Sequence, residues 1–525
     1  MLGLNLPKTY NVYFLALIST VGGMLFGFDI SSMSAVVGTN QYLEFFDNPT
    51  GARQGAIGSA LAAGSVLGSA LAGYVSDKIG RRDAIWWSCT FWMAGTVIQT
   101  AVQNWQMLLA GRIINGITVG VTSSQVPVYL AEIAKHDKRG SIIIIQQLAI
   151  DVGFTVYFFV GYGCSFIPGP ASFRTTWAVQ FVPCALLMVG LLFLPESPRW
   201  LLSKDRTNEA LIVLANVQAG GNIDDPAVLA ELEEIQNTLR VEREVGRGWR
   251  KFVSNGMWRR TLVGFMVQAW QQMAGANVIT YYVVYLFQMA NLTGNINLIA
   301  SSINYILALL CTIVAFFYIN RTGRRPLLIY GAIGMGICHF IIGAMIAAFK
   351  QPAPGGVAGN LNVLVKVVGR PSHVIIAFSY LLIMVYYFTL APVTWVFSAE
   401  VWSLGTRATG MGIATIGNWI FNFALGLFVP PAFREIDFGL FVIFGCLCFC
   451  AAVFAFFMYP ETCGKTLEEV EIMFANDGPH PWHTKVGNSR LDQEVQQIND
   501  KQKQDIAIKR MQKAEADEVE VTHSV

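Results

Sequence analysis

Twelve apolar runs, each near or beyond the roughly 20 residues that a helix needs to cross a bilayer, constrain this chain more than any other feature. They lie at about 12–37, 57–75, 84–102, 107–130, 141–163, 176–195, 261–289, 296–320, 326–349, 372–401, 407–430 and 438–459. Backbone in hydrocarbon must satisfy its own N–H and C=O groups, so runs of this length are expected as helices. The fold class expected is all-α integral membrane, with twelve transmembrane helices. Composition agrees: 54% of the 525 residues are apolar and 13% charged, against about 25% charged in soluble domains. The first run is too long for a signal-peptide core, and further spans follow, so it reads as the first transmembrane helix.

The formal charge of +2 offers no footprint for nucleic acid. Nine Cys contain no CxxC pair and no metal-ligand spacing; Cys446, Cys448 and Cys450 alternate, which on a helix turns neighbours away from one another. They read as small apolar filler. His339 and His373 are isolated, and no Ser or Cys has a convincing base. No metal, no cofactor and no enzyme chemistry is expected.

Between the sixth and seventh runs lies a polar stretch, 196–260, in which Asn208–Val217 and Pro226–Glu244 have the spacing of short surface helices. After Pro460 the chain is polar and Lys-rich, and is expected to be mostly disordered. Thr466-Leu-Glu-Glu469 has the form of a capping box that starts a short helix. The division expected is 1–195 and 261–459 as two helical bundles, 196–260 as a linker and 460–525 as a tail. With the N-terminus inside, the short inner loops hold Lys78, Arg81, Arg82, Lys135, Lys138, Arg139, Arg321, Arg324, Arg325 and Arg407. The outer loops hold six basic residues, three of them in the long loop 350–371. The bias places both termini in the cytosol. Asn291-Leu-Thr293 then falls outside as a glycosylation triplet.

The halves repeat. Asp77-Lys-Ile-Gly-Arg-Arg82 follows the second run and Asn320-Arg-Thr-Gly-Arg-Arg325 the eighth. Glu132 precedes Arg139 by seven residues, as Glu400 precedes Arg407. Pro195-Glu-Ser-Pro-Arg199 ends the sixth run and Pro460-Glu-Thr-Cys-Gly464 the twelfth. Three signatures in the same order imply two six-helix bundles of one topology. Paired repeats mark alternating-access transporters, with the site at the repeat interface near the midplane.

With Gly111-Arg112, Pro127-Val-Tyr-Leu-Ala-Glu132, Gln271-Gln-Met-Ala-Gly-Ala-Asn277 and Pro392-Val-Thr-Trp395 added to these strings, the chain resembles the sugar porter family of the major facilitator superfamily, in its fungal style. The resemblance runs from about residue 12 to 470. It implies the major facilitator fold and passive or proton-coupled uptake of a monosaccharide (hexose or pentose), a multi-pass place in the plasma membrane, and sugar and protons as partners. A facilitative uniporter, a porter of a polyol or of quinate, and a receptor that binds sugar without carrying it are the alternatives; a tail of about 65 residues is short for a receptor of this type.

A sugar ring must exchange water for protein partners at each hydroxyl, and Asn or Gln offers donors and an acceptor together. The resemblance points to Gln147, with Gln146 as its competitor, to Gln271, Gln272 and Asn277, to Trp395, and to Asn418 and Trp419. Gly275 stands where the seventh helix is able to break and turn its amides inward. Tyr281 and Tyr282 follow as a candidate outer gate. Where the family's eighth helix often has Asn, one turn after Asn304, this chain has Ala308.

Asp29 lies about 17 residues into the first run, roughly 25 Å along a helix. A carboxylate there marks function by default. The resemblance names Arg112 as its cation; Asp29 is expected to exchange the coupled proton, its charge state controlling its grip on Arg112, with a permanent ion pair that braces the bundle as the alternative. Asp151, one turn past Gln147, is a second acid within a run and has no role from the family. At the inner face, Glu132, Glu196, Glu400 and Glu461 are expected to pair with Arg81, Arg82, Arg139, Arg199, Arg324, Arg325 and Arg407 as a cytosolic gate between the halves.

Overall fold

The computed structural model describes residues 8–37, 39–49, 51–134, 139–245, 252, 257–402, 406–465, 467–474 and 478–487. The first half runs α1 (Val12–Val36), α2 (Asn40–Phe45), α3 (Gly51–Ile79), α4 (Arg81–Thr100), α5 (Trp105–Ile133), α6 (Arg139–Cys164), α7 (Ala171–Ala178) and α8 (Phe181–Leu191). Asn11 caps α1, its side chain accepting from the N–H groups of Tyr13 and Phe14 at 3.0 and 3.2 Å. Three short helices follow: α9 (Pro198–Ser203), α10 (Thr207–Gln218) and α11 (Pro226–Val245). They close a small core of their own around Leu201, Val213, Leu214, Val228 and Ile235.

The second half runs α12 (Met257–Met273), α13 (Ala276–Met289), α14 (Gly294–Thr322) and α15 (Arg324–Phe349), then α16 (Arg370–Phe388), α17 (Leu390–Val401), α18 (Arg407–Glu435), α19 (Gly439–Met458) and α20 (Leu467–Met473). Between α15 and α16 the chain departs from the all-helical expectation. Gln351–Pro352 (β1) pairs antiparallel with Val365–Lys366 (β2), so the long loop is a folded hairpin. The helix expected after the capping box is present as α20, while Thr466 itself and the tail beyond 487 lie outside the described residues.

Nine of the expected crossings are long and apolar enough by hydropathy alone among the described residues. The other three are α4, α5 and the α12–α13 pair. These are the polar ones: α5 buries Arg112, Asn115 and Gln125, and α12 buries Gln268, Gln271 and Gln272. Three crossings are interrupted, the seventh at the glycine where a break was expected. The seventh stops at Met273 and restarts at Ala276, across Gly275 at φ +78°, a left-handed conformation open to glycine. The tenth breaks at Thr389, at φ −127° and ψ −83°. The sixth likewise bends between α7 and α8.

The halves meet along α3 against α18, α6 against α14 and α1 against α13. The repeat maps the second crossing onto the eighth and the eleventh onto the fifth. The first two contacts are therefore one contact seen twice, and the third maps onto itself, as a pseudo-twofold requires. Small residues permit the close approach: a Cβ on Gly55 would lie 3.0 Å from the backbone oxygen of Leu427, and one on Gly73 3.3 Å from the Cα of Thr409.

Candidate functional site: a buried amide lattice in the second half

Gln268, Gln271 and Gln272 stand on one face of α12, and Asn418 and Asn422 one turn apart on α18. All five are buried. Asn418 Nδ2 donates to Gln268 Oε1 at 2.7 Å and to Gln271 Oε1 at 3.0 Å. Gln272 Nε2 donates to Asn418 Oδ1 at 3.0 Å, and Asn422 Nδ2 to Gln272 Oε1 at 3.2 Å. Gln268 Nε2 reaches Ser398 of α17 at 3.0 Å. The structure thus brings together three of the expected amides and adds Gln268 and Asn422. Both additions were visible as the residues one turn before Gln271–Gln272 and one turn after Asn418.

Trp419 turns from the same helix toward the first half. Its indole N–H donates to Ser123 Oγ of α5 at 3.1 Å, and its ring meets Phe26 of α1 edge-on at 5.0 Å. Trp395 is buried on α17 just past the break at Thr389. On α6, Gln147 Nε2 donates to Asp151 at 2.8 Å. Its competitor Gln146 is equally buried and packs on Gly23 of α1; neither of its polar atoms has a hydrogen-bond partner among the described residues. Asn304 on α14 is alike, with both side-chain polar atoms buried and unpartnered among the described residues. It lies one turn from Ala308, so this helix does offer an amide, displaced by a turn. Asn277 is the second residue of α13, and its side chain lies outside the described residues.

Asp29 and Arg112 are both 0% exposed, with Arg112 Nη2 2.8 Å from Asp29 Oδ2. Each is the other's only partner among the described residues. Asp151 also is fully buried, and accepts from Thr312 of α14 besides Gln147.

At one end of the bundle the repeat is reproduced almost atom for atom. Gly80 (φ +106°) and Gly323 (φ +86°) turn the chain into α4 and α15. The N–H groups that open those helices point at a carboxylate. Glu196 accepts from the N–H of Arg81 at 2.9 Å and of Arg82 at 3.1 Å; Glu461 accepts from those of Arg324 at 2.9 Å and Arg325 at 3.1 Å. Arg81 pairs with Glu132 at 3.2 Å, and Arg324 with Glu400 at 3.0 Å. Ser197 donates to Glu132 as Thr462 does to Glu400. Burial pushes the Glu196 carboxyl above its usual range, against the pull of its backbone N–H donors and Arg82.

Among the described residues, the pairs of Arg81 with Glu132, Arg324 with Glu400, and the helix N-termini with Glu196 and Glu461 each tie an inner loop to its own bundle, because the helix N-terminus and the carboxylate it needs sit in the same repeat. Across the halves, the charge of Arg407 acts on Glu132 together with those of Arg81 and Arg199. The side chain of Arg139 lies outside the described residues.

The opposite end is shut by other means. Tyr281 and Tyr282 are buried, their rings 6.2 Å apart, and Tyr282 leaves helical geometry at φ −121° and ψ 26°. A Cβ on Gly58 of α3 would lie 2.6 Å from the Tyr282 hydroxyl, so the ring reaches the other half. The hairpin adds a clasp: Asn362 donates to Pro49 O at 3.3 Å and accepts from Gly51 N at 3.1 Å. Tyr305 donates to Ser34 Oγ at 2.9 Å. Asn291 is exposed at the turn after α13.

Residues 15–474 match the family described as sugar (and other) transporters. The high-affinity glucose transporter of Kluyveromyces lactis is 40% identical over 91% of this chain and 87% of its own length. High-affinity glucose transporter 1 of Candida albicans is 40% identical over 90% and 88%. Among solved structures, the proton:xylose symporter XylE bound to 6-bromo-6-deoxy-D-glucose aligns at a TM-score of 0.75 and 25% identity, covering 88% of this chain and 99% of XylE. These relatives are transporters and not enzymes. With a match that spans both halves and the loops that tie them, the chain belongs to the sugar (and other) transporter family of the major facilitator superfamily.

Proposed function

We propose that this multi-pass membrane transporter carries a monosaccharide by alternating access, in symport with a proton held by Asp29. The observation that carries the substrate class is the amide lattice of α12 and α18. It offers clustered donors and acceptors deep in the chain, beside the indole of Trp419. Gln146 and Asn304 face a similar problem from α6 and α14, as buried amides whose polar atoms a polyol would satisfy. The printed names of the fungal relatives make D-glucose the first substrate to test, with D-xylose second.

Symport is supported by the Asp29–Arg112 pair. Protonation of Asp29 would release the guanidinium and change which arrangement of the halves is favoured. Arg407 and Glu132 at one end, and Tyr282 with the Asn362 clasp at the other, serve as the two gates. The Lys and Arg bias puts the Arg407 end and both termini in the cytosol, and the substrate chemistry fits the plasma membrane.

The test is uptake of radiolabelled D-glucose by transporter-null yeast cells expressing the full chain. It is run against competing hexoses, pentoses, myo-inositol and quinate, at two external pH values, with and without an uncoupler. The expected result is saturable uptake, competed by hexoses, lowered by the uncoupler and accompanied by alkalinisation of the medium that Asp29→Asn abolishes. Binding without uptake would make the chain a receptor. Uptake indifferent to the uncoupler would make it a facilitator.

A further inference from the structure

Asp151 is left over from this account. It sits in the middle of α6, is 0% exposed, and spans the junction of the halves: Gln147 of its own helix donates to Oδ1 at 2.8 Å, and Thr312 of α14 pairs with Oδ2. No Lys, Arg or His among the described residues pairs with it. Around it α14 brings Cys311, and α16 brings Tyr386 and Tyr387. On the helices packed against α6, Asp29 of α1 and Arg112 of α5 hold each other, Glu132 of α5 is engaged by Arg81, Glu400 of α17 by Arg324, and Arg174 of α7 donates to the backbone of Val102. Among the described residues Asp151 has hydrogen bonds to Gln147 and Thr312 and no ion pair.

A carboxylate in that place would be a buried charge with no counter-ion, which is strongly disfavoured. A carboxylic acid would not. Thr312 fits either form, since a hydroxyl both donates and accepts. We propose that Asp151 is a second proton-binding site of the transporter, occupied whenever the halves close over the central cavity. It rests on the alternating-access reading but not on the identity of the sugar or on the role of Asp29.

The step balances simply. While the halves are apart at α6 and α14, Oδ2 faces water and is ionised at alkaline pH. Before they close, a proton from that water forms an O–H bond at Oδ2, which then donates to Thr312 Oγ1. When the halves part on the other side, the same bond breaks and the proton passes to water there. Closure at high pH is limited by this protonation, so even sugar-for-sugar exchange, which needs no net proton flow, slows as pH rises. An Asn at 151 copies the neutral acid: its NH2 group donates where the O–H did.

Two measurements on the full chain in liposomes test this. The first needs no substrate: pH-difference infrared spectra of the sugar-free protein. The expected result is a carbonyl band of a protonated, hydrogen-bonded carboxylic acid that is absent in Asp151→Asn, persists in Asp29→Asn and shifts in Thr312→Val. The second is equilibrium exchange of D-glucose between pH 5 and 9. Above the pKa values of the open form each required proton adds about a tenfold fall per pH unit, so Asp151→Asn falls about tenfold per unit less steeply than the wild type, and in the Asp29→Asn background, which keeps a fall of about tenfold per unit, adding Asp151→Asn leaves less than about a twofold variation. A band unchanged in Asp151→Asn overturns the proposal. So does exchange lost in Asp151→Asn at every pH while the protein still melts cooperatively, because the charge itself would then be what matters. If D-glucose is not carried at all, the substrate reading fails and the infrared result still decides this one.

Discussion

Arg112 and Asp29 meet at 2.8 Å with both side chains wholly buried, and neither has another partner among the described residues. Removing one member of such a pair leaves a charge with nothing to answer it, at about 3–5 kcal/mol. Arg112→Met is therefore expected to lower the melting temperature of the detergent-solubilised protein sharply, and Asp29→Asn added to it is expected to restore most of the loss. Thermal unfolding of the single and double variants, each without sugar, reads the coupling. Simple additivity would mean that the two groups do not depend on each other.

Asn418 is the hub of the amide lattice, bonded to Gln268, Gln271 and Gln272. Asn418→Ala frees three buried amides at once. A lost hydrogen bond is worth about 1 kcal/mol, so the expected KM for D-glucose rises by about fivefold, with kcat changed less. Initial-rate uptake over a range of sugar concentrations separates the two constants. An unchanged KM would mean that the lattice only braces α12 against α18.

Gly323 turns the chain into α15 at φ +86°, and a Cβ there would lie 2.5 Å from Glu461 Oε2. Gly323→Ala both strains the backbone, at about 1–3 kcal/mol, and pushes away the carboxylate that holds the N–H groups of Arg324 and Arg325. A lower melting temperature is expected, with the KM for sugar kept. Gly80→Ala is expected to do the same in the other repeat, and a difference between the two would show that the two inner networks carry unequal weight.

Asn362 ties the hairpin to Pro49 and Gly51 across the halves. Each such bond contributes about 0.5–1.5 kcal/mol, which bounds how far its loss shifts the balance of states. Asn362→Ala is expected to speed labelling of a Ser34→Cys reporter by a membrane-impermeant maleimide added from outside, in a background where the exposed Cys446 and Cys450 are Ser. No change in labelling rate would remove the hairpin from the gate.

The spans were legible because the bilayer demands length and hydrophobicity together, and the repeat was legible because Gly80 and Gly323 need the same backbone. Gly275 was readable as a break for the same reason, since a left-handed residue stops a helix. Partner choice was harder. Gln268 and Asn422 carry no motif and join the lattice only through helical spacing to Gln271, Gln272 and Asn418. For the inner Arg and Glu residues, sequence shows charge and order. It does not show that a helix N-terminus draws its carboxylate from its own repeat. The hairpin at 351–366 was invisible for another reason: its strands are two residues each, too short for any periodicity. The broken tenth helix has no glycine to announce it, because the break falls at Thr389.

The most direct check on the central claim, a sugar held on the facing amides of α12 and α18, is equilibrium binding of radiolabelled D-glucose to the purified full chain. It is measured beside the variant that combines Gln272→Ala and Asn418→Ala, with cooperative melting as proof that the variant folds. Saturable binding by the wild type and none by the folded variant is the predicted outcome. Equal affinity in both would place the sugar elsewhere and contradict the account.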